Sequence, residues 1–364
     1  MALASLPSGP MARTLVTGAT GLLGSHLVRA LADRGDELRL LIKRGSDTGA
    51  LDGIDYEEVT GDVTDRRAVR RAVEGIERVF HVAAESSLDD RDRELVFAVN
   101  VGGTKLIADE ALAAGVDRLV HTSSVAAIGP AARGGRADET QPFMIAHLGI
   151  AYANSKHEAE AEVLRAAARG LDAVIVNPTF TLGPPIGATS SMSIEVVRRF
   201  LQRRIPVYVD GGLNVVDVRD VAAGELAADE KGRRGERYIL GGRNFTLQRL
   251  FADLSRISGV PVPPLRLPPR VAIGAADLSD LLHIGVGIGV DETRSAALWW
   301  TYSAAKAKRE LGFAPRPHEE TLEATLEMTR EQLGGRIGAS PGPAGALVEA
   351  LGRAGRIAGR FLPR

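Results

Sequence analysis

Tyr152-Ala-Asn-Ser-Lys156 places a phenol and an ammonium four residues apart. On a helix that spacing stacks the two side chains on one face. An unperturbed phenol titrates near ~10, so it neither gives nor takes a proton readily at neutral pH unless a cation stabilises its phenolate. Lys156 is such a cation. Upstream, Arg118-Leu-Val-His-Thr-Ser-Ser124 reads as a strand that delivers hydroxyls at its C-terminal end, where α/β sheets place their ligands. A Tyr and a Lys fall four apart by chance in many helices. The pair gains weight only from a third element in the right chain order.

That element is Thr17-Gly18-Ala19-Thr20-Gly21-Leu22-Leu23-Gly24, directly after Leu15-Val16. A buried strand is expected to end at Val16. A helix is expected to open at Gly21, with Leu22, Leu23, Leu27, Ala30 and Leu31 along one side. Glycines so spaced let the backbone turn, approach a pyrophosphate, and pack the helix close to the strand. The helix N-terminus then offers N–H groups and the positive end of its dipole to the phosphates. A Gly-rich surface turn is the commoner source of such a triplet. A strand before it and a helix after it point instead to a dinucleotide, whose nicotinamide ribose Lys156 can also hydrogen-bond.

One βα unit later, Leu38–Ile42 reads as a second strand, ending in Lys43-Arg44. An acid at that strand end would bind the adenosine ribose 2′-hydroxyl, whereas a base accommodates a 2′-phosphate. Lys43 and Arg44 are either solvated loop charges or that base. With Asp47 arriving only after the turn, the position favours NADP(H) over NAD(H). Asp62 sits where a strand-end carboxylate could meet the adenine amino group.

Taken together with several later segments, these motifs make the chain resemble the extended short-chain dehydrogenase/reductases of NAD-dependent epimerase/dehydratase type. The Thr-Gly-x-x-Gly-x-x-Gly loop, Asp62-Val63, His81-Val-Ala-Ala84, Asn100-Val-Gly-Gly-Thr104, Thr122-Ser-Ser124, Tyr152-x-x-x-Lys156 and Asn177-Pro178 follow in family order from about residue 13 to about residue 315. Lys43-Arg44, Asn177 to Pro184 and Gly212 to Val221 resemble the dihydroflavonol-4-reductase-like branch, including hopanoid-associated epimerase-like proteins. Nucleotide-sugar epimerases usually carry an Arg shortly before the segment ending in Asp-Val-Ala, for the substrate diphosphate. Asn214 stands about there, against a nucleotide-sugar substrate.

The resemblance implies roles. Tyr152 would be the general acid–base, Lys156 its electrostatic partner, and Ser124 the hydrogen-bond donor to the substrate oxygen, with Ser123 and Thr122 structural or cofactor-facing. Asn100 would hold a water in a proton relay, or make an ordinary helix-entry hydrogen bond. Val63, Ala83 and Ala84 would line the cofactor, and Asn177, Pro178 and Thr179 would cover its nicotinamide. The two helices starting near Asn100 and Tyr152 commonly pair across a two-fold axis in this family, which implies a homodimer.

The expected fold is α/β, a Rossmann-type doubly wound parallel sheet with a smaller C-terminal substrate lobe. Strands are read at 14–18, 38–43, 56–61, 78–83, 118–123 and 173–178, mostly as the continuous apolar runs of a parallel sheet covered on both faces. Residues 1–10 read as a disordered lead, 11–180 as the dinucleotide-binding domain, and 181–332 as a substrate lobe interleaved with the last strands. The proline cluster Val260–Pro269 excludes helix and favours an extended connector or edge. Ser303–Phe313 reads as a closing helix stopped at Gly312. Trp299, Trp300 and Tyr302 either line the substrate cleft or pack inside.

The net charge of −1 gives no global field for nucleic acid, and the absence of cysteine excludes disulfides and thiol nucleophiles. No metal is expected, since the histidines lack paired ligand spacing. His81 and His121 fall in buried strand patterns and read as satisfied core residues. No stretch reaches the ~20 apolar residues of a membrane span, Leu281–Val290 being far too short, and the start is not that of a secretory signal. A cytoplasmic protein is expected. Beyond Gln332 a Gly/Pro linker leads to residues 346–364, where Leu347, Leu351 and Phe361 oppose Arg353, Arg356, Arg360 and Arg364. That tail is either a basic amphipathic helix making a weak peripheral membrane contact or a docked or frayed end. Gly352, Gly355 and Gly359 weigh for the latter.

Three functions fit: a reductase or dehydrogenase acting on a small, non-nucleotide carbonyl or secondary alcohol with NADP(H); an NAD-dependent sugar epimerase or dehydratase that recycles its cofactor within each turnover; and a non-catalytic nucleotide sensor. Tyr152 with Lys156 argues against the last.

Overall fold

A computed structural model describes residues 12–334, except 190, 206, 269, 272, 273 and 275–289, together with Ile337. The six apolar runs form strands close to where the pattern puts them: β1 (Arg13–Thr17), β2 (Glu37–Ile42), β3 (Glu57–Thr60), β4 (Arg78–His81), β5 (Arg118–Thr122) and β6 (Ala173–Pro178). Later strands are β7 (Phe180–Leu182), β8 (Val207–Val209), β9 (Gly212–Asp217), β10 (Arg237–Leu240), β11 (Arg243–Thr246), β12 (Leu265–Leu267) and β13 (Trp299–Trp300). The principal helices are α1 (Leu22–Arg34), α2 (Arg66–Val73), α3 (Arg93–Phe97), α4 (Thr104–Ala114), α5 (Ala151–Ala168), α6 (Met192–Leu201), α7 (Val218–Lys231) and α8 (Leu247–Ser258).

Seven strands make one sheet in the order β10-β6-β5-β4-β1-β2-β3, parallel throughout. Successive residues of a strand point to opposite faces, and here both faces are covered. Val16 joins Leu27, Leu31 and Val221 from α1 and α7. Its neighbour Leu15 joins Val69, Ile107 and Val163 from α2, α4 and α5. Double burial is why these strands read as unbroken apolar runs rather than alternating ones.

The strand order reverses at β1, which lies between β2 and β4. The crevice beyond the carboxyl ends of such strands is where doubly wound sheets bind ligands. Every candidate residue named above follows one of these strand ends or sits on a helix facing them.

The chain past residue 180 builds a second, smaller sheet around β9, with β11 antiparallel to it and β7 and β13 parallel. It also returns β10 to the edge of the large sheet beside β6. The proline-rich segment is extended as its prolines require, contributing β12 to a two-stranded ribbon with β8. Helix Ala305–Leu311 stops at Gly312, in the left-handed region at φ 75°.

One expectation is corrected here. The helix does not begin near Asn100. It begins at Arg93 and runs through α3, a π-helical turn (Ala98–Gly103) and α4. Asn100 therefore sits mid-helix, in a widened turn of the kind often found at functional sites.

Among the described residues no helix is long and apolar enough to cross a membrane, and no group of three or more His, Asp or Glu is placed to hold a metal ion. The lead 1–10, the apolar stretch 281–289 and the basic tail 346–364 lie outside the described residues.

Candidate active site

The β1–α1 turn is shaped for phosphate. Gly18 has φ 73°, and a Cβ there would lie 2.6 Å from the backbone nitrogen of Ala83 at the end of β4. At Gly24 a Cβ would collide with the backbone of Gly18, so only glycine lets the helix sit this close to the turn. Helices α2, α6, α7 and α8 are each capped by a side chain, from Asp65, Ser191, Asp217 and Thr246. Helix α1 has Gly21 as its N-cap, with no side-chain cap; the Gly21 N–H bonds to the Gly18 carbonyl, and the next N–H to bond back into the turn is that of Ser25. The N–H groups of Leu22, Leu23 and Gly24 are thus left for an anion, beside Thr20. These residues fit a dinucleotide pyrophosphate.

At the β2 end, Arg44 is exposed and has no ion pair or side-chain hydrogen bond among the described residues. Lys43 lies 3.6 Å from Asp62 across the β2 and β3 ends. Asp62 also accepts from the backbone and hydroxyl of Thr64. Partial burial pushes its carboxyl up, but those bonds and Lys43 outweigh it and hold the group below its ordinary value. Val63 is buried against Gly103 of the π turn. The Ala83 N–H donates to the Thr17 hydroxyl, which keeps Ala83-Ala84 beside the glycine turn.

Ser124, Tyr152 and Lys156 converge at the end of β5. The Ser124 oxygen accepts from the Ala126 N–H at 3.1 Å. Burial pushes the Tyr152 phenol above its ordinary value, while the Ser124 side chain pulls it down. One turn on, Lys156 is 2% exposed and donates to the Thr122 carbonyl at 2.9 Å. Burial drives its ammonium down to about 8, against the pull of Glu160 and Glu225.

The neighbouring hydroxyls turn inward. Thr122 donates to Glu225 at 2.6 Å, and Ser123 to Glu160 at 2.6 Å. Asn100 accepts from the Glu85 N–H and donates to the Glu85 carbonyl and to Ser155, clamping the segment after β4 to α5. Of the two roles expected of Asn100, the helix-entry bond is replaced by this clamp. The expectation that Asn177 and Thr179 lean over the nicotinamide is narrowed. The Asn177 amide donates to the Ser124 carbonyl and to Glu160, and the Thr179 hydroxyl donates to Asn214. Both side chains are drawn into the body by these partners.

His81 is satisfied, bonded to Thr17 and Thr104, and burial lowers it to about 3. His121 is not satisfied. It is 1% exposed and neither ring nitrogen has a partner among the described residues, which corrects its reading as a satisfied core residue. Burial, with His81 and Lys156 nearby, keeps it neutral. Of the aromatic trio, Tyr302 is buried with its hydroxyl donating to the Gly129 carbonyl, while Trp300 packs in the cluster that holds Tyr152.

Sequence reasoning missed Glu160 and Glu225. Glu160 had a signal, lying four residues after Lys156 on the same face of α5. Glu225 had no such signal, being one of three acids, with Asp220 and Asp229, that α7 buries.

A sheet of this order, an anion-binding glycine turn and a Ser–Tyr–Lys cluster define a nicotinamide-dependent oxidoreductase. The comparisons agree: the model of the NAD dependent epimerase/dehydratase family matches residues 14–241, and the chain belongs to that family, the extended short-chain dehydrogenase/reductases. It falls in the dihydroflavonol-4-reductase-like branch. It is 44% identical over 272 residues to Sterol demethylase protein B of Methylococcus capsulatus, covering 74% of this chain and 82% of that protein. It is 42% identical over 316 residues to a Synechocystis protein provisionally named dihydroflavonol 4-reductase, covering 84% and 91%. The crystal structure of gox2253 superposes with a TM-score of 0.79 at 38% identity, over 90% of this chain and 99% of that one.

Proposed function

We propose that this protein is an NADP(H)-dependent oxidoreductase that reduces a carbonyl, or oxidises a secondary alcohol, of a small apolar substrate that carries no nucleotide. The observation that carries this reading is the buried Lys156 ammonium, anchored at 2.9 Å on the Thr122 carbonyl at the end of β5, one helical turn from Tyr152 and two residues from Ser124 along the strand end. When bound, the reduced nicotinamide supplies a hydride. Ser124 holds the substrate oxygen. Tyr152 gives that oxygen its proton, and the Lys156 ammonium stabilises the phenolate left behind.

Two features support the substrate class. Tyr152 packs with Leu88, Phe143, Leu148, Leu298 and Trp300, all partly exposed, and Met144 beside them is 70% exposed. Such a wall suits hydrocarbon rings or chains, and the Methylococcus relative is named for a sterol. Where nucleotide-sugar epimerases place a diphosphate-binding Arg, Asn214 is 1% exposed and occupied by Thr179, Gly242 and Asn244. Among the described residues, the partners of that side chain are neutral.

NADP(H) preference rests on Arg44, an exposed guanidinium at the β2 end with no internal partner. Fluorescence titration should show tighter binding of NADPH than NADH, and Arg44→Ala should weaken NADPH about tenfold while sparing NADH, the scale of one charge-assisted phosphate contact. Equal affinities in the parent protein would overturn the preference. The reading also includes a homodimer through α4 and α5, which pack side by side. Sedimentation at micromolar concentration reads it directly, a monomer mass refuting it.

A further inference from the structure

Glu225 has no place in the chemistry above, yet it is the residue most tightly tied to the lysine's anchor. It lies on α7, is fully buried, and approaches the sheet from the face opposite α5. One residue joins the two. The Thr122 backbone oxygen accepts from Lys156 Nζ at 2.9 Å, and the Thr122 hydroxyl donates to Glu225 Oε1 at 2.6 Å. The second carboxyl oxygen, Oε2, is buried without a partner among the described residues. A buried carboxyl with one oxygen orphaned is costly unless it serves a nearby charge.

We propose that Glu225 is a positioning residue for Lys156: through Thr122 it fixes the strand end that anchors the lysine, and as a carboxylate it keeps that lysine cationic at alkaline pH.

The surroundings give the sign. Lys156 is faced by Glu160 from its own helix, by Glu225 from α7, and by the neutral His81 and His121 from β4 and β5. Glu160 is already engaged by Ser123, Asn177 and Arg237, so its charge is shared. Glu225 has Thr122 as its hydrogen-bond partner and Lys156 as the charge that acts on it. Burial lifts its carboxyl to about 8, against the pull of both. Below that pH the protonated carboxyl and a glutamine are alike toward Lys156. Above it, only glutamate puts a negative charge behind the lysine.

The proposal rests on Lys156 being the catalytic cation, and its test needs neither substrate nor turnover. The full chain labelled with 13C at lysine Cε is titrated by NMR, the Lys156 signal being assigned by its loss in Lys156→Arg. Glu225→Gln keeps the acceptor for Thr122 and removes the charge. The Lys156 inflection should then fall by about one pH unit, the low end of what a close opposite charge contributes. An unchanged inflection overturns the proposal. Should Glu225→Gln fail to fold, Thr122→Val and Thr122→Ser decide it. Valine strips Glu225 of its partner and should lower the inflection, while serine restores the hydroxyl and should return it to the parent value. If both variants match the parent, Glu225 is only packing. A failure of the reductase reading leaves the Lys156 titration where it is, so the two failures are distinguishable.

Discussion

Tyr152→Phe is expected to cut turnover by about 10²–10⁴ on any carbonyl compound the parent protein reduces, the usual scale of acid–base catalysis. NADPH affinity should stay within about a few-fold of the parent, a bound set by the hydroxyl's modest share of any hydrogen bonding. The reason lies in what the hydroxyl touches. Ser124 draws the phenol down toward its ordinary value, and the next turn of the same helix face carries Lys156. Phenylalanine keeps the ring in its cluster with Trp300 and Phe143, so the packing of the cleft survives. Only the proton is removed. Steady-state rates beside a fluorescence titration separate the two effects, and full activity in the variant would end the proton-donor assignment.

The second large effect is expected from one methyl group. Gly24→Ala puts a Cβ onto the backbone of Gly18, where no flexible side chain can move aside. Either α1 shifts away from β1 or the turn opens. Both dismantle the N–H cradle of Leu22, Leu23 and Gly24. Overpacking of this kind costs about 1–3 kcal/mol, so the variant should fold with a lowered Tm and lose nucleotide binding altogether. Gly35→Ala is the control: its Cβ meets nothing within 4 Å, though its φ of 93° carries the ordinary left-handed strain. If Gly24→Ala bound NADPH as tightly as the parent, the close approach of helix and turn would not be what makes the site.

What the sequence disclosed and what it withheld divide along a physical line. The glycine turn, the Tyr–Lys spacing and the parallel strands were legible because each is set by local geometry: a backbone that must turn, a 3.6-residue repeat, a strand buried on both faces. Glu225 was not, because its partner Thr122 is 103 residues away and meets it only when α7 packs on β5. Asn100 was misplaced for a related reason. Nothing local marks a π turn, and its partners Glu85 and Ser155 come from two other segments. Asn177 shows the limit of a motif. The strand end falls where the pattern puts it, but Glu160 and the Ser124 carbonyl decide which way the amide turns. His121 is the reverse case, a residue whose burial was legible and whose empty hydrogen bonds were not.

The central claim is that this site carries out net reduction of a carbonyl by NADPH, with Tyr152 as proton donor. It is tested most directly by giving the purified full chain NADPH bearing deuterium at the transferable position, together with a panel of apolar ketones, and reading the products by mass spectrometry. The expected result is one deuterium on the carbinol carbon of a product, matched by NADP⁺ formed, and the loss of both with Tyr152→Phe. The contrary result is that no ketone consumes NADPH, while the protein as purified holds NAD tightly and interconverts a nucleotide sugar with no net change in that cofactor. That outcome would make it an epimerase.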